Sequence, residues 1–116
     1  MSTQNTIDAL QALAQETRLT AFRILVEAGP PGMVAGGIAR ALGIAPSSLS
    51  FHLNRLVHAE LVVSRREGRQ IIYAANFDTM EGLMAFLTEN CCRAQGGCVP
   101  PAGQPESTPE LEVIKS

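Results

Sequence analysis

Residues 45–61 read Ala-Pro-Ser-Ser-Leu-Ser-Phe-His-Leu-Asn-Arg-Leu-Val-His-Ala-Glu-Leu, and the spacing of apolar and polar positions within them decides the fold. Leu49, Leu53 and Leu56 recur at helical intervals, so a helix sets them on one face where they can pack on a small core. Ser47, Phe51, Asn54, Arg55 and His58 project from the opposite face, which is polar, carries one aromatic ring and little acid. Pro46 suits the first helical turn because its missing N–H would be unpaired there, whereas Ala45 is a poor N-cap. The amides of that turn are left for an external acceptor, and a phosphate would serve. An ordinary amphipathic helix would show the same leucine rail, so the flanking segments must separate the two readings.

Immediately upstream, residues 33–42 place Val34, Ile38 and Leu42 at helical spacing and end on Gly43, a C-terminal cap. Two short helices joined by the glycine-bearing turn of residues 43–46, the second polar on its outer face, form a helix-turn-helix candidate. Downstream the period changes. Leu-Val-Val-Ser-Arg-Arg, then Glu67-Gly68, then Arg-Gln-Ile-Ile-Tyr-Ala-Ala, is two β-branched runs about a glycine turn, which predicts a hairpin with Arg65, Arg66 and Arg69 at its tip. A helix-turn-helix followed by a basic hairpin is the winged-helix order, so the expected fold is mainly α with one small β hairpin.

Working outward, a first helix is expected from about Thr6 or Ile7, with Ile7, Leu10, Leu13 and Ala14 as a short apolar stripe. A second is expected over residues 16–28, with Leu19, Phe22, Leu25 and Val26 on one face and Gly29-Pro30-Pro31-Gly32 as its stop. A fifth, over residues 77–90, carries Met80, Leu83, Met84 and Leu87. The small middle of the domain cannot cover both terminal helices, which predicts a homodimer through the first and last helices. The expected domain spans residues 1–92, and residues 93–116, rich in proline and poor in large apolar side chains, read as a flexible tail carrying Cys98.

The totals agree with one small domain of 116 residues, 46% hydrophobic but only 4% aromatic, so its core is expected to be Leu, Ile, Val and Ala. No apolar run approaches the roughly 20 residues needed to cross a bilayer, and the opening Met-Ser-Thr-Gln-Asn-Thr is not a basic and apolar leader; a cytoplasmic location without membrane contact is expected. The formal charge is −2, yet between Thr17 and Tyr73 seven arginines face three glutamates, a local balance of +4. It is the local patch that meets DNA, so the overall sign does not exclude a nucleic-acid partner.

With these elements in hand, Ser47-Ser48-Leu49-Ser50-Phe51-His52-Leu53-Asn54-Arg55-Leu56, Ala59-Glu60-Leu61-Val62, Arg66-Glu67-Gly68-Arg69 and Tyr73 resemble the signature of ArsR-type (ArsR/SmtB) metalloregulatory repressors. Leu13-Ala14-Gln15-Glu16-Thr17-Arg18-Leu19 is similar to the opening of their second helix, and the resemblance covers roughly residues 7–90. The chain departs from the family at Glu60, where glycine is usual. The resemblance implies a homodimeric winged-helix repressor, not an enzyme, on double-stranded operator DNA with an inverted repeat. It places Ser47, Ser48, Ser50, Phe51 and His52 where the family reads DNA, with Arg55, Arg66 and Arg69 suited to phosphates.

The inducer has to be sought locally. The paired cysteines that arsenic-type members carry in the third helix have no counterpart in residues 33–39, and the last helix lacks the histidines of zinc-type members. What remains is Cys91, Cys92 and Cys98, clustered in a chain without export signals. Neighbouring cysteines in a regular helix diverge by about 100°, so they converge only where the helix ends, and Gly96-Gly97 offers a return for Cys98. Three thiolates without a fourth ligand suit trivalent arsenic, whose lone pair fills the fourth direction, better than structural zinc. As(III), or Sb(III), is therefore the expected inducer. A thiol-redox switch on the same repressor is the alternative, and a thiol-dependent arsenate reductase a more distant one, because the residue six beyond Cys92 is Cys98 rather than the arginine of an oxyanion loop.

Overall fold

In the computed structural model, which describes residues 1–96, the first helix, α1 (Thr3–Leu13), starts some three residues earlier than its apolar stripe suggests. Ser2 causes this: its hydroxyl accepts from the Asn5 amide at 3.0 Å, and its carbonyl takes the Thr6 hydroxyl at 2.8 Å. The buried face of α1 is Thr6, Ala9 and Ala12, small side chains that allow close approach of the next helix. Ile7 and Leu10 of the expected apolar stripe are each 42% exposed. Helix α2 (Glu16–Ala28) has the expected bounds, with Gln15 as its N-cap and Gly29 in positive φ at its end. It buries Arg18, Ala21, Phe22 and Leu25, while Leu19 faces out.

The one reassigned segment follows the proline turn. Met33–Val34 forms a short strand, β1, and helix α3 (Ala35–Leu42) begins only after it. An available strand edge outweighs the weak helical preference of a segment that also contains Gly36 and Gly37. Gly32 permits the approach: a Cβ there would collide with the Tyr73 carbonyl oxygen. Helix α3 closes on Gly43, which is left-handed and donates to the Ala39 carbonyl at 2.8 Å.

Helix α4 (Pro46–His58) buries Leu49, Leu53 and Leu56 completely, as its sequence requires. They meet Leu25, Ile38, Leu61 and Val62, also fully buried, in one aliphatic cluster. Each such leucine contributes about 1.5–3 kcal/mol by leaving water. Helix α4 ends in a Schellman arrangement, with the Glu60 amide donating to Val57 at 2.9 Å and the Leu61 amide to Leu56 at 3.0 Å. Glu60 itself sits at φ 64.

Strands β2 (Val62–Glu67) and β3 (Gln70–Ala75) form the hairpin, in register from Val62↔Ala75 to Glu67↔Gln70, and the sheet order is β1-β3-β2, all antiparallel. Asn76 then joins three elements. Its amide donates to Leu61, its side-chain amide to the Glu60 carbonyl, and its side-chain oxygen caps α5 (Phe77–Thr88). Helix α5 ends two residues before the expected Asn90 and buries only Leu83; Met84 and Leu87 are both 60% exposed.

Candidate nucleic-acid interface

On α4 the outward residues fall into a face and two flanks. Ser47, Phe51 and Arg55 stand one turn apart along the exposed face, with Asn54 beside them. Phe51 is 57% exposed, an unusual position for a large aromatic on a folded domain. Its ring is held by two neighbours: the Arg55 guanidinium carbon lies 6.0 Å from the ring centroid, and the His52 ring meets it edge-on at 5.5 Å. Ser48 and His52 occupy the flank toward α2, and Ser50 the other flank. The helix N-terminus has Pro46 in its first turn and no side-chain cap, so the first-turn amides stay available to an acceptor.

The six expected contact residues of α4 are thus brought onto one connected surface, with one refinement. His52 is not a free surface imidazole. The Arg18 guanidinium reaches its Nδ1 at 3.2 Å, and the ring is half-buried. Burial first, then the positive charges of Arg18 and Arg55, hold its pKa below the ordinary histidine value of 6.5. Neutral His52 therefore accepts at Nδ1 and keeps its proton on Nε2.

Arg18 entered the sequence reading as one basic charge among seven and as part of the motif that opens α2, without a role of its own. It is 8% exposed; its Nε donates to the Ala12 carbonyl at 2.6 Å, and its own amide is taken by the Gln15 side chain at 2.8 Å. A signal for this existed. Arg18 lies three, four and seven positions before Ala21, Phe22 and Leu25, so the buried stripe of α2 passes through it.

At the hairpin the three tip arginines separate. Arg65 is engaged: its Nε bonds Glu67 at 2.7 Å, and its terminal nitrogens reach the Pro31 carbonyl at 2.9 Å and the Pro30 carbonyl at 3.4 Å. It fastens the hairpin to the proline turn. Arg66 and Arg69 are exposed, and among the described residues the one ion pair is that of Arg65.

Cys91 and Cys92 lie just beyond the C-terminal end of α5. Beyond Thr88 the backbone leaves helical geometry, with Asn90 at φ 61 and Cys92 at φ 60, and a short 3-10 turn follows over Arg93–Gln95. The end of the helix lets neighbouring side chains converge, and the Cys91 and Cys92 sulfurs lie 3.4 Å apart. Cys98, expected as the third ligand, and most of the expected tail lie outside the described residues.

An exposed helix with an open N-terminus beside a basic hairpin is the arrangement of winged-helix DNA readers. A helix-turn-helix domain family model matches residues 13–65. The solution structure of Mb0332 from Mycobacterium bovis, described as a homodimeric winged helix-turn-helix DNA-binding domain of a possible ArsR-family regulator, superposes with a TM-score of 0.61 at 26% identity, covering 73% of this chain and 76% of that one. The HTH-type transcriptional regulator YgaV of Escherichia coli (strain K12) is 30% identical over 83 residues, 72% of this chain and 82% of YgaV. The chain belongs to the ArsR-type family of winged helix-turn-helix transcriptional regulators. Nodulation protein NolR of Rhizobium meliloti is 31% identical over 80 residues, 69% of this chain and 63% of NolR. The crystal structure of NolR from Sinorhizobium fredii matches at 28% identity with a TM-score of 0.59, covering 76% and 85% of the two chains. As an ArsR-type regulator the chain is a DNA-binding protein and not a thiol enzyme. Among the described residues no helix is long and apolar enough to cross a membrane.

Proposed function

We propose that this ArsR-type regulator is a homodimeric repressor that holds an inverted-repeat operator and releases it when As(III), or Sb(III), is captured by Cys91 and Cys92 with Cys98 as the third ligand. The observation that carries the reading is the 3.4 Å approach of two thiols directly beyond α5. Soft sulfur donors already side by side suit a thiophilic metalloid, and a third thiolate would complete its pyramid. The homodimer is supported by α5 itself, which buries one residue and leaves Met84 and Leu87 uncovered, and by the homodimeric form of the Mycobacterium bovis relative. In that dimer the two α4 helices enter successive major grooves. Ser47, Ser48, Ser50, Phe51 and His52 meet base edges and nearby backbone, while Arg55, Arg66 and Arg69 hold phosphates. Induction follows only when the inducer binds the form with the wrong helix spacing more tightly, since equal affinity would shift nothing.

A second reading keeps the repressor and makes the thiols a redox switch. Its support is the 3.4 Å contact between the Cys91 and Cys92 sulfurs, which sets two thiols side by side. Peroxide would take two electrons and two protons from the pair, forming a disulfide and two waters. Fluorescence anisotropy separates the readings, with a labelled duplex that the wild-type chain has selected from a randomised library. Release by As(III) in the wild type, lost in Cys91→Ser and in Cys98→Ser, is the expected result. Release by peroxide alone, with As(III) silent, would transfer the case to the redox reading, and variants that respond to As(III) like the wild type would exclude the cysteines as sensor.

A further inference from the structure

Beside the leucine rail, Arg18 ties the DNA-reading helix to the end of α1. Arg18 is buried and has no carboxylate partner among the described residues, an expensive place for a guanidinium unless its donors are taken. Two of them are: Nε by the Ala12 carbonyl at the end of α1, and a terminal nitrogen by His52 of α4. No buried side-chain nitrogen or oxygen among the described residues is left unpaired. A plain structural anchor would need only the first bond. The second has a chemical consequence, because a guanidinium can only donate.

We propose that Arg18 is a specificity-determining positioning residue for DNA reading, which fixes His52 in the tautomer whose Nε2–H donates outward from the reader helix. This rests on the assignment of α4 as the helix that meets DNA, with His52 among its contacts. An imidazole in water exchanges between two neutral tautomers, and each offers a different pattern to a base edge. One presents a donor at Nε2, the other an acceptor. With Nδ1 occupied by Arg18, only the donor form remains. The outward partner is therefore an acceptor: a phosphate oxygen, purine N7, guanine O6 or thymine O4, and not the amino group of adenine or cytosine. Among the described residues Nε2 has no partner of its own, and burial together with the Arg18 and Arg55 charges keeps the ring neutral. The edge-on contact with Phe51 restrains the plane of the same ring.

The test uses the full chain and reads the tautomer directly. Long-range nitrogen-proton correlation spectra of the imidazole should show His52 in the Nε2–H form in the wild type, with both forms populated in Arg18→Lys and Arg18→Met. The second measurement is a double-mutant cycle on the library-selected duplex. His52→Gln places an amide donor close to where Nε2–H was and no longer needs Arg18 to set it. Arg18→Met should weaken binding on the order of fivefold in the wild-type background, about the worth of one hydrogen bond, and much less in the His52→Gln background. Arg18→Lys, which keeps the positive charge, controls for folding, and thermal melts of every variant are run beside the titrations. Equal losses in both backgrounds that follow the melting temperature would make Arg18 a fold residue only and overturn the proposal. A wild-type spectrum showing the Nδ1–H form would overturn it as well. If His52→Ala binds the duplex as well as wild type while the tautomer is as expected, the assignment of His52 as a DNA contact fails, and the proposed role in specificity falls with it.

Discussion

The reader helix is joined to the wing by a residue in the wrong conformation for its type, and replacing it should stabilise the protein. Glu60 occupies the left-handed position that follows α4, at φ 64, a conformation that favours glycine. The bonds that hold the turn are made by backbone: Glu60 amide to Val57, Leu61 amide to Leu56, and the Asn76 side chain to the Glu60 carbonyl at 3.0 Å. None of them involves the carboxylate, so Glu60→Gly leaves them all in place. An L-residue in this region costs about 1–2 kcal/mol. Glycine returns roughly 0.5–1 kcal/mol of that, because its unfolded chain has more freedom to lose. The net gain is about 0.5–1 kcal/mol, which for a domain of this size raises the melting temperature by roughly 2–8 °C.

Charge could mimic the effect, and a control separates the two. Glu60 lines an open cleft shared with Asp8 and Asp78, so removing its carboxylate also changes the local charge. Glu60→Ala removes the same charge but keeps a Cβ in the left-handed position. Thermal unfolding followed by circular dichroism, at one fixed protein concentration because association shifts the midpoint, should rank the glycine variant clearly above the alanine variant. An alanine variant as stable as the glycine one would show that charge relief, not backbone conformation, sets the stability of this turn.

The wing and the histidine give two more expectations. Arg66→Ala and Arg69→Ala should each weaken binding to all duplexes alike and reduce the slope of log affinity against log salt by about 0.9–1; unchanged slopes in both would remove the wing from the phosphate contacts. Because the pKa of His52 is lowered in the folded state, the unfolded chain takes up its proton first as pH falls. Its contribution to stability is complete above the unfolded value of about 6.5 and is lost as pH drops from there through the lowered folded value. Urea titrations between about pH 7 and pH 5.5 should therefore show a decline in the wild type that is smaller in His52→Gln. The same decline in both proteins would place the titrating group elsewhere.

Where the chain's local signals and its tertiary packing agree, the fold was legible. Leu49, Leu53 and Leu56 are the core-facing rail that their spacing predicts, Gly43 is the left-handed cap, and the hairpin turns at Gly68. Met33–Val34 was not legible as a strand, because two residues carry no period and only the edge of β3 defines them. The candidate site divides in the same way. The outward residues of α4 follow from helix geometry alone, whereas the engagement of Arg65 with the proline turn and of Arg18 with His52 joins residues more than thirty positions apart. No local pattern encodes such a pairing, although the place of Arg18 within an apolar stripe indicates that it must be satisfied by something.

Helix α1 shows why an apolar stripe in a sequence does not say which surface covers it. Two of its large side chains, Ile7 and Leu10, are exposed, while the small Thr6, Ala9 and Ala12 point in and Leu13 in the last turn packs on the core. A helix stabilised only by its own domain would bury Ile7 and Leu10 too, since the larger side chains gain more by leaving water. Their exposure makes sense if a second copy covers the outer face, together with Met84 and Leu87 of α5. On the proposed reading this gives α1 two attachments. Its outer face belongs to the dimer, and its last turn, through the Ala12 carbonyl and Arg18, reaches His52 on the reader helix. The thiols follow directly on α5, so an event there acts on the same association surface. A change in how two copies meet would then move α1 and the reader together, provided the inducer favours one of the two arrangements.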